Sequence, residues 1–250
     1  MAEKLKYFVN GQFRESKTDK WYDLHNPSTG EITGQAPCCT NDEVLEAIAA
    51  AKAAYPGWSA TPAIKRAQIL YRVRELILER MDELTMSVAK ENGKVWAESE
   101  GDVLKAKEGT ELATQVPSLM MGESIMDASR GYDTVKYREP LGVFAGIVPV
   151  NFPAMIPFGW MAPTCIATGN TLVLKAASLT PKTAMLFAQL YKDAGVPDGV
   201  INVVTCSRNE INTILEHPDV KGITFVGSTP VGLKIYEKAA ANGKRCQALC

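Results

Sequence analysis

The second half of the chain alternates short apolar runs with segments of helical spacing. Strand-length runs occupy residues 142–147, 171–174, 202–204, 222–225 and 245–249. A helical pattern follows each of the first four runs. Such alternation predicts a parallel sheet with right-handed crossovers and helices packed on its faces. We therefore expect an α/β fold for residues 142–250.

Near the N-terminus, the pattern predicts a hairpin and then a helix. Two short strands flank Asn10 and Gly11, a two-residue signal for a tight turn. A further strand-like run follows at 31–35. Thr40 and Glu43 have capping-box spacing, so we expect a helix to begin after Thr40 and to end before the proline at position 56.

Two longer helices are expected next. Thr61 followed by Pro62 predicts a capped helix start, and amphipathic spacing then continues over 63–90. Another helix is predicted over 97–116, followed by a loop over 117–129. Residues 134–138 alternate like an edge strand, which could pair outside its own domain.

The composition is that of a globular protein and excludes several classes of function. Of the residues, 46% are hydrophobic and 22% are charged, and the formal net charge is -1. The 27 basic and 28 acidic residues form no basic run, so we expect no nucleic-acid partner. No apolar stretch approaches the roughly 18 to 20 residues of a membrane span. The N-terminus enters a strand pattern at once, without room for a signal peptide. These features predict a cytoplasmic protein.

The six cysteines do not form a metal-binding pattern. None is part of a C-x-x-C pair, and the chain has two histidines, so we expect no zinc site. Without a secretion signal, free thiols are favoured over disulfides. Cys165 and Cys206 fall in or beside core segments and are expected to pack there.

Two polar residues end neighbouring strands of the predicted sheet. The run from Gly142 breaks at Pro149 and leads to Asn151, and the run from Thr171 leads to Lys175. Ligands bind at the carboxyl ends of strands in a doubly wound sheet. Asn151 carries an amide donor suited to an oxyanion, and Lys175 could bind ribose hydroxyls and phosphate. The residues alone leave open a turn-forming asparagine and a lysine that reaches solvent along its alkyl stem.

A third candidate is the glycine turn that joins the strand at 222–225 to the helix beginning at Pro230. The amide groups at the helix start and the Ser228 hydroxyl can bind phosphate, assisted by the helix dipole. Gly227 would let the backbone turn tightly. Gly227 and Gly232 stand five residues apart, which is not the G-x-G-x-x-G fingerprint. An ordinary strand–helix turn therefore stays equally open.

Several motifs in a fixed order give the whole chain a resemblance to the aldehyde dehydrogenase superfamily. They are NPSTGE at 26–31, ENGK at 91–94, PVNFP at 149–153, GNT at 169–171, Lys175, GVPDGVINVV at 195–204 and FVGS at 225–228. Within the superfamily, PSLMMGE at 117–123 and ANGKR at 241–245 are most similar to the CoA-acylating branch of methylmalonate-semialdehyde dehydrogenases.

The resemblance implies a role for each candidate. Asn151 matches the oxyanion-hole asparagine, Lys175 the lysine that contacts the cofactor ribose, and Ser228 the serine that contacts phosphate. Gly227 and Gly232 match the glycines of the cofactor turn. The other cofactor-binding positions that it implies are Val148, Pro149, Val150, Ser178 and Val231. The implied chemistry is attack of a cysteine thiolate on an aldehyde, hydride transfer to nicotinamide and release of the acyl group to coenzyme A.

The chain also departs from the family pattern. Ala248 stands where hydrolytic members carry a glutamate that activates water, which favours a thiol as acyl acceptor. Ser178 replaces a ribose-binding glutamate, so NAD and NADP both stay open, with NAD favoured. Lys105 stands where a substrate-binding arginine is sought, which is compatible with a semialdehyde that carries a carboxylate. The family's nucleophilic cysteine lies beyond residue 250.

The domain organisation follows from the resemblance. Residues 1–131 are expected to be strands and helices that pack on the cofactor domain, 132–141 an oligomerisation edge strand, and 142–250 a Rossmann-like NAD(P)-binding core. The chain stops inside a predicted strand, so we expect a truncated chain without its catalytic domain. It would act with small aldehydes, without nucleic acid or membrane, as a homodimer or homotetramer. The alternatives are a hydrolytic or other-substrate aldehyde dehydrogenase, and a nucleotide-binding chain without catalysis.

Overall fold

The computed structural model describes residues 3–250, and its core is a seven-stranded sheet. The strands are β1 Tyr7–Val9, β2 Gln12–Arg14, β3 Trp21–His25, β4 Ile32–Pro37, β5 Ser124–Ser129, β6 Tyr132–Val135, β7 Val143–Ile147, β8 Thr171–Lys175, β9 Ile201–Val204, β10 Val220–Val226 and β11 Arg245–Leu249. The helices are α1 Asn41–Ala60, α2 Ala63–Glu79, α3 Met81–Asn92, α4 Trp96–Ala113, α5 Val116–Leu119, α6 Ala162–Ala167, α7 Lys182–Asp193, α8 Arg208–Glu216 and α9 Thr229–Ala241.

The order of strands in the main sheet is that of a doubly wound fold. It runs β11-β10-β7-β8-β9-β1-β2, and β7 to β11 are parallel to one another. The chain builds β7, β8 and β9 in one direction and then crosses to the other side of β7 for β10 and β11. The reversal lies between β7 and β10, where this kind of sheet opens a crevice for ligands. The predicted α/β class is confirmed.

Each face of the sheet has its own hydrophobic core, because successive side chains of a strand point to opposite faces. Leu172 and Leu174 belong to the core that α2 to α7 cover, whereas Val173 between them belongs to the core under α1, α8 and α9. Burial on both faces explains why these strands are continuous apolar runs in the sequence.

The predicted N-terminal hairpin is confirmed, and it extends the main sheet. Asn10 and Gly11 both have positive φ, as a tight two-residue turn between β1 and β2 requires. β1 then pairs antiparallel with β9. The amide of Asn10 donates to the side-chain oxygen of Asn202 at 2.9 Å, which links the turn to a buried residue of the sheet.

Two predicted helix boundaries near residue 60 are wrong. α1 continues through Pro56 to Ala60, since the buried Trp58 donates its indole N–H to the Ile166 carbonyl at 2.9 Å. Thr61 does not cap α2. Its hydroxyl bonds back to the Gly57 carbonyl, so it closes α1 instead.

The single helix predicted over 63–90 is two helices. Arg80 leaves the helical conformation between α2 and α3, and its guanidinium pairs with Glu83 and Asp193. The change of direction lets α3 pack on α7, where the hydroxyls of Ser87 and Thr183 lie 2.9 Å apart.

The sequence pattern did not predict two of the strands, β3 and β5. β3 pairs antiparallel with β4. β4 begins one residue after the start of the run predicted at 31–35. The predicted loop over 117–129 contains α5 and β5 instead. β5 pairs with β6 as a hairpin whose residues are all exposed. With neither face buried, β5 has no alternation that could reveal it.

The segment after β7 is a π-helical turn, Ile156–Met161, that runs directly into α6. Its Gly159 meets Gly109 of α4 backbone to backbone: a Cβ at Gly109 would lie 2.0 Å from the Gly159 carbonyl oxygen. π-helical turns are rare and often lie beside functional sites.

In residues 3–250, no helix is long and apolar enough to cross a membrane.

Candidate functional site

Three strand ends meet at one edge of the sheet. Ile147 of β7 is in register with Lys175 of β8 on one side and with Phe225 of β10 on the other. The chain leaves these strands toward Asn151, Ser178 and Gly227. The sequence-predicted residues therefore gather around the carboxyl end of β7, next to the switch point.

A groove of about 480 Å³ opens beside this edge, between α8 and α9. Lys175 and Ile147 form its floor. One wall is Arg208, Ile211, Asn212 and Leu215 of α8, and the other is Val231, Lys234, Ile235 and Lys238 of α9. Each wall follows the i, i+3, i+4, i+7 spacing of one helix face. The apolar positions suit a planar ring system, and the long cations lie among them.

The groove is strongly basic. Among the described residues that line it are Lys175, Arg208, Lys234 and Lys238, and none is an aspartate or glutamate. Lys238 pairs with Glu216 at 2.6 Å. The other three form no ion pair within residues 3–250. An apolar slot with uncompensated cations fits a nucleotide, whose base is apolar and whose phosphates are anionic.

Lys175 is the most buried of these cations. Burial lowers the pKa of its ammonium group, because the charged form loses hydration. The buried Cys206 lines the same groove. A phosphate placed here would offset the loss of hydration of Lys175 and so bind more tightly than at a solvated lysine.

The turn after β10 leaves polar groups free. Ser228 is the N-cap residue of α9, yet its side chain makes no capping bond and is exposed. Its hydroxyl is available to a ligand at the positive end of the helix. Gly227 is needed for a different reason than predicted. Its φ is not positive, and a Cβ there would lie 2.5 Å from the Phe225 ring.

Gly232 is also required by close packing. It lies in the first turn of α9, where its amide donates to the Ser228 carbonyl at 2.9 Å. A Cβ there would lie 2.2 Å from the sulfur of Cys250 and 3.2 Å from the Phe225 ring. The two glycines therefore let α9 approach β10 and β11 closely.

Asn151 lies on an irregular loop between β7 and the π-helical turn. Its side chain is exposed and has no hydrogen-bond partner among residues 3–250. Val148 is buried, and its amide donates to the Lys175 carbonyl at 3.4 Å. Pro149 is half-buried, and the Val150 carbonyl accepts the Asn92 amide at 2.7 Å. The side chain of Asn151 is free while the neighbouring backbone is held, so its amide is suited to donate to a substrate oxygen.

The structure brings some of the predicted residues together and leaves others apart. Lys175 and Val231 share the groove, and the turn with Gly227 and Ser228 adjoins it. Ser178 is half-buried on the loop after β8 and does not line the groove.

The basic residues Arg208 and Lys234 line the groove, and neither is among the residues predicted from the sequence. The helical spacing of Arg208 with Ile211 and Leu215 was the available signal, but it indicates only which residues share a face. That this face opens onto Lys175, and not onto solvent, depends on how α8 packs against the sheet.

Four of the six cysteines do not have the environment of a nucleophile. All six are free thiols, as predicted. Burial raises the pKa values of Cys39, Cys165 and Cys206 to about 12, and that of Cys246 also rises. A thiolate nucleophile needs a lowered pKa. In addition, no cluster of three potential metal ligands occurs in residues 3–250.

A family model and known proteins match almost the whole chain. Residues 13–250 match the family model described as "Aldehyde dehydrogenase family". The chain is 44% identical over 244 residues to the methylmalonate-semialdehyde/malonate-semialdehyde dehydrogenase [acylating], mitochondrial, of Rattus norvegicus. The match covers 98% of this chain and 45% of the rat protein.

Solved structures are similar over almost the whole chain. A presumed methylmalonate-semialdehyde dehydrogenase of Sinorhizobium meliloti 1021 in complex with NAD superposes with a TM-score of 0.96 at 35% identity, covering 99% of this chain and 50% of that one. An NADP-dependent enzyme of E. coli superposes with a TM-score of 0.94 at 34% identity. The match covers 98% of this chain and 51% of that one. The chain thus spans about half the length of the relatives it matches.

Proposed function

Because this chain belongs to the aldehyde dehydrogenase family, we propose that it forms the cofactor-binding part of an NAD(P)-dependent, CoA-acylating semialdehyde dehydrogenase. The single observation that carries the proposal is the basic groove between α8 and α9, at the same sheet edge as the free amide of Asn151. A dinucleotide site and an oxyanion donor are the two parts that such an enzyme needs from this half.

The groove residues fit a dinucleotide. We propose that the base lies between Ile211 and Val231, and that Lys175 donates to ribose or phosphate oxygens. Ser228 and the amide groups at the start of α9 would bind phosphate, as helix N-termini commonly do. Gly227 and Gly232 allow that close approach. When bound, the nicotinamide supplies the hydride acceptor, and the protein supplies binding and orientation.

Asn151 would act on the substrate directly. Its amide N–H can donate to the aldehyde oxygen as negative charge develops there, and a neutral amide does so at any physiological pH. Val148, Pro149 and Val150 precede it on the same loop. We propose that they line the approach of the nicotinamide end of the cofactor, in line with the bond from the Val148 amide to the Lys175 carbonyl.

The acyl acceptor is proposed to be coenzyme A. Ala248 on β11 has no group that could take a proton from water, so general-base hydrolysis at that position is not available. A thioester formed on a cysteine outside these 250 residues would then be resolved by a thiol. The acylating rat relative supports this reading.

The substrate is proposed to be a short semialdehyde of the methylmalonate or malonate type. The support is the identity to the rat relative and the two branch-specific runs at 117–123 and 241–245. Lys105, the cation expected near a substrate carboxylate, is exposed on α4 and pairs with Glu108 at 2.6 Å. It would have to leave that pair in order to bind a substrate.

The cofactor is proposed to be NAD or NADP, with NAD favoured. The favoured cofactor from the sequence is NAD, and one similar structure is a complex with NAD. The groove adds Arg208 and Lys234, two cations without an ion pair in the described chain, which could accept a 2′-phosphate. Ser178 carries no negative charge, so it would not repel a 2′-phosphate as a glutamate at this position would.

Assembly and location are proposed from the sequence and from one surface. The β5–β6 hairpin exposes both of its strands along their whole length, including Ile125, Met126 and Tyr132. Exposed edge strands tend to pair with another chain. We propose a homodimer or homotetramer in which this hairpin participates, and a cytoplasmic location.

Two measurements test the proposed function. First, NAD⁺ and NADP⁺ are titrated into the 250-residue chain by calorimetry. Binding of either one supports the groove, and the absence of binding for both contradicts it. Second, the coding sequence is read past the Cys250 codon, and the complete polypeptide is assayed with several semialdehydes, with and without coenzyme A. Reduction of NAD(P)⁺ that depends on coenzyme A supports the acylating reaction. Cofactor binding without any turnover would favour a nucleotide-binding chain.

A further inference from the structure

The loop that carries Asn151 has little secondary structure of its own. Residues 148–154 lie between the end of β7 and the first helical residue, Met155. The backbone of residues 148–153 makes two long bonds, from the Val148 amide to the Lys175 carbonyl and from the Ile156 amide to the Phe152 carbonyl, both at 3.4 Å, and a bond of ordinary length, 3.0 Å, begins only at the Ala154 carbonyl, which accepts the Phe158 amide. Backbone geometry alone therefore does not fix the position of Asn151.

Three side chains from outside the loop hold it on both sides of Asn151. Asn92 at the end of α3 donates to the Val150 carbonyl at 2.7 Å. The Lys94 ammonium lies 3.9 Å from the centre of the Phe152 ring. Asp102 of α4 accepts the Met155 amide at 2.7 Å. The residues before and after Asn151 are each held by one of these groups.

Lys94 and Asp102 also pair with each other. Their Nζ and Oδ2 atoms are 3.1 Å apart, and the Asp102 side chain is fully buried. Burial raises the pKa of Asp102, while the Met155 amide and Lys94 oppose that rise. The carboxylate thus lies at the start of the helical segment that follows Asn151, where a negative charge is favourable.

The helix that carries Asp102 is itself rigidly placed against the segment after the loop. Gly109 of α4 meets Gly159 of the π-helical turn backbone to backbone, so neither position has room for a Cβ. This contact is independent of the polar ones. It means that α4 and the π-helical turn cannot slide past each other without a clash.

We propose that Asn92, Lys94 and Asp102, here called the loop clamp, are positioning residues that hold Asn151 in place for oxyanion stabilisation. The inference rests on the proposed function, because it assigns Asn151 to that role. None of the three touches the reacting atoms. They act through the backbone of Val150 and Met155 and through the ring of Phe152.

The expected effect follows from how sharply catalysis depends on position. A displacement of about 1 Å can cost on the order of 10²-fold in rate. Lys94→Met removes the charge pair and the cation over the ring while keeping similar bulk. We expect kcat of the complete enzyme to fall about 10-fold or more, and KM for the cofactor to change about 2-fold or less. Lys94→Arg, which keeps the charge, should lose less.

Lys107→Met is the matched control. Lys107 lies on α4 and pairs with Glu111 at 3.2 Å, and its exposure, 19%, is close to the 15% of Lys94. In residues 3–250 it forms no hydrogen bond, ion pair or cation–π contact with the loop, so kcat should stay within about 2-fold of the parent. Asp102→Asn provides a second clamp variant that keeps one oxygen acceptor for the Met155 amide.

A double-mutant cycle separates positioning from general damage. In an Asn151→Ala background there is no amide left to position, so Lys94→Met should cause little further loss in kcat. An equal loss in both backgrounds would mean that the clamp acts only on the fold, and would overturn the proposal. No loss in the parent background would overturn it as well.

A readout without activity keeps the inference separate from the proposed function. Amide hydrogen exchange of residues 151–156 is compared between Lys94→Met and Lys107→Met in the 250-residue chain. We expect exchange at least about 10-fold faster in the clamp variant alone. If the complete polypeptide oxidises no semialdehyde but this difference is seen, the proposed function fails and the clamp of the loop stands. Unchanged exchange refutes the clamp whatever the activity.

Discussion

Two connections at the same sheet edge are built in opposite ways. The loop after β7 is held by Asn92, Lys94 and Asp102, all from distant parts of the chain. The turn after β10 makes no side-chain hydrogen bond at residues 227–229 in the described structure, and its bonds run to Leu249 and within α9. A single amide that must meet one oxygen needs external support. A site made of successive backbone N–H groups is already oriented by its own helix.

The largest expected effect tests the supported loop. Asn151→Ala should reduce kcat of the complete enzyme on the order of 10²-fold or more, the usual cost of losing one oxyanion donor. Steady-state kinetics with a short semialdehyde measure it. Asn209→Ala, an exposed asparagine of α8, is the control and should turn over normally. Normal turnover by Asn151→Ala would mean that the held loop serves another purpose.

The next effect concerns the helix that follows the loop after β8. Glu91 accepts the amides of Lys182 and Thr183 at the start of α7, and burial raises its pKa to about 7. Between pH 4.5 and 7 the folded chain therefore keeps a proton that the unfolded chain has released. The free energy of unfolding should fall by on the order of 3 kcal/mol as the pH rises through this range.

Denaturant unfolding at pH 5, 6, 7 and 8 tests this prediction. In Glu91→Gln, which has no proton to release, the fall between pH 5 and 7 should disappear. The same slope in both proteins would show that Glu91 is ionised in the folded chain throughout.

A smaller effect is expected at the floor of the groove. Lys175→Ala should weaken dinucleotide binding about 10- to 100-fold, because a bond to a charged group is worth roughly 1.5 to 3 kcal/mol. Thermal stability should be unchanged or slightly higher, since a buried cation without an ion pair is removed. Calorimetric titration measures the affinity. Lys221→Ala, which is exposed on β10, should bind like the parent.

The affinity of the parent chain should also depend on pH through Lys175. Its lowered pKa means that the ammonium loses its proton at a lower pH than an ordinary lysine. Dinucleotide affinity should fall as the pH rises through that value, and Lys175→Ala should not show this fall. An affinity that stays constant to high pH would contradict a charge contact with the ligand.

The smallest effect tests the unsupported turn. Ser228→Ala should weaken dinucleotide binding about 2- to 10-fold, because one neutral hydrogen bond is lost while the backbone N–H groups remain. Titration of this variant beside Ser118→Ala, an exposed serine of α5, provides the measurement. A loss as large as that of Lys175→Ala would show that the side chain, and not the backbone, carries this part of the site.

The secondary structure could be predicted where a local signal has one physical meaning. Asn10 and Gly11 give a turn with positive φ, and Thr40 with Glu43 gives the capping box that the structure contains. Prediction failed where distant contacts outweigh local preference. Trp58 carries α1 through Pro56, and the exposed β5 exists only because it pairs with β6.

The same distinction between local signals and distant contacts applies to the candidate site. The sequence by itself determined the α/β class, the strand ends that carry Asn151 and Lys175, and the family, because strand ends and glycine turns are local and ordered along the chain. Only the tertiary structure decided that α8 and α9 form a basic groove over Lys175, that Gly227 serves packing on Phe225, and that Asn92, Lys94 and Asp102 hold the loop of Asn151. These contacts join residues far apart in sequence, and periodicity carries no information about which faces meet.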